Sequence, residues 1–328
     1  MRQLLVAAAV LCSGCSGLRP RLIDSSVQKP SNVAVYFTVD TAAGAPVPGL
    51  GAENFRIYED DKLVSTYESK QTILNPEVSA THITLLLVDL SASVTKSGEL
   101  AELQGAVDRF TSRVGALQQT AVYAFDGRPD IIPLRHFSSG GGGVNLAGFQ
   151  NKDPSTNLNG AVVKGIEVLQ KQLEKATTPL RFGTMVIFTD GTDHASRVSR
   201  SDALNAVNDV DFDVFVIGVG AEINEQELAA FSKFDAALSK DPAAIGVQFD
   251  RIAEKIEGFT KRFYLLSYCS PARAGQHRVT IEPLTADNLS GRLSYDFDAT
   301  GFGPDCDPNR KPAFDVKNPG KRRAAAPR

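Results

Sequence analysis

The sequence lacks the short patterns that would assign it at once to a common catalytic or nucleic-acid-binding class. It contains four cysteines and four histidines in 328 residues, and none of them shows the spacing typical of a zinc site. It has no phosphate-binding loop of the Walker type and no internal repeat at the period of a solenoid. The net charge of -3 gives no reason to expect a nucleic-acid partner.

The composition is that of a globular protein, with 42% hydrophobic and 22% charged residues. A chain of this length forms one large domain or two modest ones with ample core. The N-terminal segment stands apart from this composition. Arg2 precedes an apolar run over residues 4–11 that is too short to span a bilayer. We expect residues 1–14 to be an export signal that is removed.

The end of this segment, LCSGC, resembles a bacterial lipobox. The resemblance implies that Cys15 carries a lipid and anchors the protein in the cell envelope. Ser16 in the next position favours the outer membrane by the same analogy. Residues 15–31 would then be a tether. Ordinary cleavage that releases a soluble protein is the alternative.

Two more cysteines, Cys269 and Cys306, remain in the exported part of the chain. Since an exported protein meets an oxidising compartment, we expect this pair to form a disulfide. Two free thiols are the alternative.

The most informative stretch is ITLLLVDLSAS, residues 83–93. An uninterrupted apolar run of this length favours a strand buried on both faces, as in a parallel sheet. Asp89, Ser91 and Ser93 follow at alternate positions, where the carboxyl end of the strand meets its loop. Open α/β sheets bind ligands at this edge.

Two further elements follow in order. Thr156 opens TNLNGAVVKGI before a helical pattern, and Asp190 follows the buried strand in TMVIFTD. Together with the Asp-x-Ser-x-Ser pattern at Asp89, they resemble the metal-ion-dependent adhesion site (MIDAS) of von Willebrand factor A (VWA) domains. The resemblance implies a Rossmann-like, doubly wound α/β domain, placed over residues 80–262, in which strands and helices alternate.

The segments on either side of this α/β domain predict a second structural unit. Residues 32–75 and 263–300 contain six short strand patterns, which we expect to combine into one β-sandwich around the inserted VWA domain. The segment 40–62 resembles the N-terminal part of bacterial VWFA-related domain proteins. Residues 301–328 are rich in Pro, Gly and basic residues, which predicts a disordered tail.

The predicted ligands are all oxygen atoms, which favour a hard cation. We expect Mg²⁺, with Mn²⁺ and Ca²⁺ as alternatives. Ser91 and Ser93 would bind directly. The family resemblance implies direct binding by Thr156 and contacts largely through water for Asp89 and Asp190. Because hydroxyls and waters neutralise the ion poorly, an acidic side chain of a protein partner would complete its shell.

Each residue of the pattern also has a structural interpretation. Ser91, Ser93 and Thr156 are of the type that caps helices, and Asp190-Gly191 is a common turn. Asp193 lies close to Asp190, and we expect it to be a solvated loop residue, with a supporting contact to the metal ligands as the alternative. We expect His194 to be a surface residue and Asp126 to be a turn residue.

The favoured function is an envelope-anchored binding protein that uses a metal ion to hold an acidic partner. A scaffold in which the metal only stabilises loops and a metal-dependent hydrolase are the alternatives. We expect no enzymatic activity, since the sequence has no nucleophile elbow, no His-Glu metal motif and no general base paired with a histidine. The partner, the biological process and the oligomeric state stay open.

Overall fold

The computed structural model describes residues 17–96 and 98–315, which form two compact units. One unit combines residues 17–76 with 261–313, and the other contains residues 77–260 with 314–315. The lipobox cysteine Cys15, the export signal and residues 316–328 lie outside the described residues. No helix in the described part of the chain is both long and apolar enough to cross a membrane.

The first unit contains two four-stranded sheets, ordered β1-β2-β12-β5 and β14-β13-β3-β4. Apolar side chains from both sheets, among them Phe37, Phe55 and Ile281, pack into one buried core, so the two sheets form the expected sandwich. Its elements are β1 (Leu18–Gln28), β2 (Asn32–Thr41), β3 (Phe55–Glu59), β4 (Lys62–Leu63), α1 (Thr66–Ser69), β5 (Thr72–Leu74), β12 (Phe263–Cys269), β13 (Gln276–Pro283) and β14 (Leu293–Asp298).

The N-terminal tether expected over residues 15–31 is wrong for most of its length. Leu18–Gln28 is an edge strand that pairs antiparallel with β2. Leu18 is buried in the sandwich core, and Leu22 packs against it. Pro20, which favoured a loop in the sequence, is tolerated because an edge strand has one side without a hydrogen-bonded neighbour.

The C-terminal tail is also ordered further than expected. The disulfide Cys269–Cys306 is present, with a Cα–Cα distance of 5.7 Å. The backbone N–H of Gly303 donates to the carbonyl of Pro30 at 2.8 Å, and the N–H of Ala313 donates to the hydroxyl of Ser26 at 3.0 Å. Residues 301–315 contain no helix or strand, yet these bonds attach them to the sandwich.

The second unit is a doubly wound α/β domain, as expected. Its six-stranded sheet has the order β11-β10-β9-β6-β7-β8, and all neighbours are parallel except β7 and β8. Its elements are β6 (Ala80–Asp89), α2 (Ala92–Lys96), α3 (Leu100–Gly115), β7 (Gln119–Phe125), β8 (Ile132–Ser138), α4 (Leu158–Glu174), β9 (Leu180–Thr189), α5 (Arg200–Asp209), β10 (Asp213–Val219), α6 (Glu225–Ala229), β11 (Asp235–Ser239) and α7 (Ile245–Lys261).

Strand β6, near the centre of the sheet, packs on both faces, which explains the apolar run from Leu85 to Val88. Leu86 and Val88 pack in the core cluster that contains side chains of α3 and α7. Leu85 and Leu87 point the other way, into the cluster that contains side chains of α4 and α5. With both faces covered, every residue of the strand from Ile83 to Asp89 is buried. The domain therefore places the loop after β6 at the middle of the sheet edge.

The disulfide generates a first prediction. Replacing both Cys269 and Cys306 by serine should lower the free energy of unfolding by about 2–4 kcal/mol, because the bond closes a long loop of the unfolded chain. The two cysteines are 37 residues apart in sequence. Guanidinium unfolding followed by circular dichroism measures the change.

Dithiothreitol provides the control for this experiment. It should lower the unfolding midpoint of the wild type and leave that of the double variant unchanged. Equal midpoints for the wild type and the double variant under oxidising conditions would contradict the prediction.

Candidate metal site

Two of the predicted metal residues, Asp89 and Asp190, lie at the carboxyl ends of two neighbouring parallel strands. Asp89 ends β6, and Asp190 directly follows Thr189, the last residue of β9. The two strands are in register up to Val88 and Phe188. Parallel neighbours deliver their following loops to one edge of the sheet, so the fold brings the two carboxylates to the same place.

One chain of hydrogen bonds joins four of the five predicted metal residues. The Asp89 carboxylate accepts from the backbone N–H of Ser91 at 2.9 Å and, through its other oxygen, from the Thr189 hydroxyl at 2.7 Å. The Ser91 and Ser93 hydroxyls lie 3.1 Å apart. The Ser93 hydroxyl donates to the Asp190 carboxylate at 3.0 Å. Two hydroxyls and two carboxylates thus form a compact cluster of oxygen atoms.

The electrostatics of this cluster favour a cation. Burial raises the pKa of Asp89 to about 7, and repulsion from Asp190 adds to the rise, while hydrogen bonds from Thr189 and Ser91 oppose it. Burial also raises the pKa of Asp190, with a further contribution from Glu222. No Lys, Arg or His among the described residues forms an ion pair with either carboxylate. The two carboxylates therefore lack a positively charged partner among the described residues.

Thr156, the fifth predicted residue, lies in a loop that packs against this cluster. The backbone N–H of Ala92 donates to the carbonyl of Pro154 at 3.1 Å, which places the loop beside the Ser91–Ser93 turn. The carbonyl of Thr156 accepts from the N–H groups of His194 and Ala195. The interpretation of Thr156 as a helix cap is wrong.

Asn157 caps α4 instead, since its side-chain oxygen accepts from the N–H of Gly160 at 3.2 Å. The Thr156 hydroxyl is therefore not required to cap the helix.

Asp126 does more than the turn residue expected from the sequence. It is fully buried, and its carboxylate accepts from the N–H and the guanidinium of Arg128, both at 2.9 Å, and from the N–H of Lys152 at 3.1 Å. The carbonyls of Asp126 and Arg128 accept from the backbone and the side chain of Asn157. The loop after β7 thus braces the loop that carries Thr156.

Asp193 is not the solvated loop residue that we expected. Its two carboxylate oxygens accept from the N–H of Asn159 at 3.0 Å and from the N–H of Ser196 at 2.9 Å. It therefore ties the loop after β9 to the first turn of α4. His194 is exposed, as expected. The position of Asp126 after a buried strand could have indicated its structural role from the sequence. No local pattern marks Asp193 in the same way.

The donor set fits a hard cation. Hydroxyl and carboxylate oxygens suit Mg²⁺, Mn²⁺ or Ca²⁺. The described residues contain no group of three His, Cys, Asp or Glu side chains able to hold a metal. An ion at this sheet edge would therefore depend on the hydroxyls of Ser91, Ser93 and Thr156 beside the two carboxylates.

No known family model matches the sequence, and no curated protein matches it. Solved structures similar to the chain include proximal thread matrix protein 1 from the mussel byssus, at 14% identity and a TM-score of 0.44, over 53% of this chain and 48% of that one. The chain thus spans about half the length of the mussel protein. Another form of that protein is described with a zinc-occupied MIDAS motif.

VWA proteins are also among these structures. A von Willebrand factor type A protein from Catenulispora acidiphila has 10% identity and a TM-score of 0.45, over 85% of this chain and 73% of that one. Manganese-loaded TRAP protein from Plasmodium vivax has 13% identity and a TM-score of 0.39, over 76% of this chain and 99% of that one. At these identities the likeness concerns the fold alone.

The brace around Asp126 generates a prediction. Arg128→Ala would leave a buried carboxylate without its charged partner, so the free energy of unfolding should fall by roughly 2–4 kcal/mol. The value lies below that of a fully buried pair because 23% of the Arg128 side chain is exposed. Thermal unfolding followed by circular dichroism measures it.

Arg113→Ala is the matched control, since Arg113 pairs with Glu257 at the surface, with 42% and 25% of the side chains exposed. This variant should change the free energy of unfolding by less than about 1 kcal/mol. Equal effects of the two variants would show that the Asp126 pair is not a structural brace.

The burial of Asp89 predicts how the stability of the metal-free protein depends on pH. Its folded pKa of about 7 lies above the ordinary value of 3.8, so between these values the folded state binds the proton more tightly than the unfolded state. In the presence of EDTA, stability should therefore fall as the pH rises through about 7. Asp89→Asn should flatten this dependence, measured as the melting temperature against pH. A wild-type melting temperature that rises over the same range would be the contrary result.

Proposed function

We propose that the cluster at the ends of β6 and β9 binds a divalent cation and, through it, an acidic side chain of a protein partner. The observation that carries the proposal is the hydrogen-bonded chain from Asp89 through Ser91 and Ser93 to Asp190. It concentrates the buried carboxylate of Asp89, the partly buried carboxylate of Asp190 and two hydroxyls, with no cationic side chain of the described residues paired to either acid. A bound cation would supply the charge that this arrangement needs.

The proposed ligands divide into two kinds. The neutral hydroxyls of Ser91, Ser93 and Thr156 would contact the ion, while Asp89 and Asp190 would act largely through water. Mg²⁺ takes about six oxygens in octahedral array and keeps several waters. Because the neutral ligands leave most of its charge in place, the ion would attract one more carboxylate. A partner's Asp or Glu is the simplest source of that group.

We propose recognition without turnover. Both oxygens of Asp89 already accept hydrogen bonds, from the Ser91 N–H and the Thr189 hydroxyl. Ser93 donates to Asp190, which engages the second carboxylate as well. A general base must lie within hydrogen-bond reach of a substrate proton, and the Asp89 side chain is fully buried. The arrangement therefore favours a binding protein over a hydrolase.

We also propose that the protein works in the bacterial cell envelope, anchored by a lipid on Cys15 and exposed from the outer membrane. The export signal and lipobox support this location, though they lie outside the described residues. The disulfide between Cys269 and Cys306 supports it independently, because such bonds persist in oxidising compartments. No nucleic-acid partner is proposed.

Calorimetric titration of Mg²⁺ and Mn²⁺ into the full chain tests the metal site. We expect one binding site in the wild type and none in Asp89→Ala, because removal of the buried carboxylate removes both the charge and the anchor of the Ser91 turn. Asp130→Ala is the matched control, since Asp130 is an exposed carboxylate in the loop after β7. This control should bind the ion like the wild type.

The same variants separate recognition from a purely structural role of the metal. If Asp89→Ala binds the ions as well as the wild type does, the proposed site is wrong. If the ion binds but only raises the melting temperature, and no acidic peptide binds with it, the scaffold alternative is correct.

A further inference from the structure

The chain enters the sandwich directly after the lipobox. One residue separates Gly17 from Cys15 in the sequence, and Gly17 already takes part in the fold. Its carbonyl accepts from the N–H of Ala42 at 2.8 Å, and the N–H of Leu18 donates to the carbonyl of Ser290 at 2.8 Å. Leu18 is buried in the sandwich core. The start of β1 is therefore fixed on both sides.

This arrangement limits the distance between the fold and the membrane. A chain advances at most about 3.8 Å per residue, so a lipid on Cys15 would hold Gly17 within about 8 Å of its attachment point. The head-group layer of a bilayer is itself about 5–8 Å thick. With the acyl chains of the anchor inside the bilayer, the start of β1 would therefore lie at the level of the head groups.

Two loops surround the start of β1, residues 42–46 and 285–291, and we call them the anchor end of the sandwich. The first loop, AAGAP, contains no charged residue, and the second, TADNLSG, contains only Asp287. A side chain at Gly291 would collide with the carbonyl of Leu18, so the second loop packs directly on β1. Loops with so little charge lose little hydration free energy when they approach a membrane surface.

Two arginines lie on β1 next to the anchor end. Arg19 and Arg21 are exposed and share one face of the strand, about 7 and 13 Å along it from Gly17. Neither forms an ion pair with a carboxylate of the described residues. The acid opposite Arg19 in the sheet, Asp40, is buried and paired with Arg262. The two guanidinium groups are therefore available to bind phosphate, which arginine does through paired hydrogen bonds.

We propose that the anchor end lies directly on the phospholipid head groups, with Arg19 and Arg21 bound to lipid phosphates. This inference rests on the lipid anchor of the proposed function and does not depend on the metal site. It assigns this end of the sandwich to the membrane and excludes it as a surface for protein partners.

The lipid-modified protein in vesicles of phosphatidylethanolamine and phosphatidylglycerol tests the proposal. A fluorophore attached through Ala43→Cys reports on the anchor end, and one attached through Val27→Cys reports on the opposite end of β1. Val27 is 39% exposed and follows Leu18 by nine residues, which is about 30 Å along the strand. Nitroxides on the lipid head groups should quench the fluorophore at position 43 and leave the one at position 27 unchanged.

A flexible insert tests whether the short link holds the anchor end on the membrane. About ten Gly and Ser residues placed between Ser16 and Gly17 would span about 16–19 Å on average. The sandwich could then move away from the head groups, so the quenching at position 43 should be lost. Retention of the quenching would show that the short link is not its cause.

Charge reversal tests the two arginines. Arg19→Glu combined with Arg21→Glu should weaken the quenching at position 43, because the new carboxylates repel the lipid phosphates. The matched control is Lys29→Glu combined with Lys311→Glu. Both lysines are exposed; one directly follows the end of β1, and the other lies in the segment that bonds to Ser26 through Ala313. The control makes the same change in net charge and should keep the quenching.

The outcomes distinguish this inference from the function on which it rests. A protein that does not float with the vesicles would show that Cys15 carries no lipid, which overturns both the anchor and the membrane contact. A protein that floats but shows equal quenching at positions 43 and 27 would overturn only the contact of the anchor end. Equal effects of the two charge variants would exclude the arginines from this contact.

Discussion

The candidate site depends on one electrostatic constraint, a fully buried carboxylate, Asp89, that lies beside the partly buried carboxylate of Asp190 at the ends of adjacent parallel strands. Asp89 is removed from water, and its neighbour Asp190 carries the same charge. Taking charge out of water is costly unless it is paired. Here the described residues supply hydrogen-bond donors, the Ser91 N–H and the hydroxyls of Thr189 and Ser93, and no cationic side chain. The cation proposed for this site would supply the positive charge that balances the two acids.

Hydrogen bonds within the surrounding loops hold the residues of the site in place. The loop after β7 is locked by the buried Asp126, whose carboxylate is satisfied by Arg128 and Lys152. The loop after β9 is locked by Asp193. Hydrogen bonds from both loops reach the segment that carries Thr156 and begins α4. Charged groups that take no part in binding the ion thus hold the groups proposed to bind it.

Much of this edge could be predicted from the sequence because its signals are local. An apolar run predicts β6 with both faces buried, and the polar residues that follow must then lie at the sheet edge. The pair Cys269 and Cys306 was predictable from export and from the small number of cysteines. These inferences need only the order of residues along the chain.

The errors share a cause, since each concerns a partner that the residue's own segment does not reveal. Pro20 suggested a tether, but β2 provides an antiparallel neighbour for β1 and leaves the proline on a sheet edge. The composition of residues 301–328 predicted disorder, but the disulfide at Cys306 and the hydrogen bond from Ala313 to the Ser26 hydroxyl attach the described part of this segment to the sandwich. Asp193 was expected to be solvated, but it accepts from the N–H of Ser196 nearby and from the N–H of Asn159, which lies 34 residues away.

Diffraction from crystals grown with Mn²⁺ and recorded at the manganese absorption edge tests the central claim most directly. We predict one anomalous peak among Ser91, Ser93 and Asp190, with the two serine hydroxyls at coordination distances of about 2.0–2.3 Å. A peak at another place, or none at saturating Mn²⁺, would contradict the assignment of this sheet edge as a metal site.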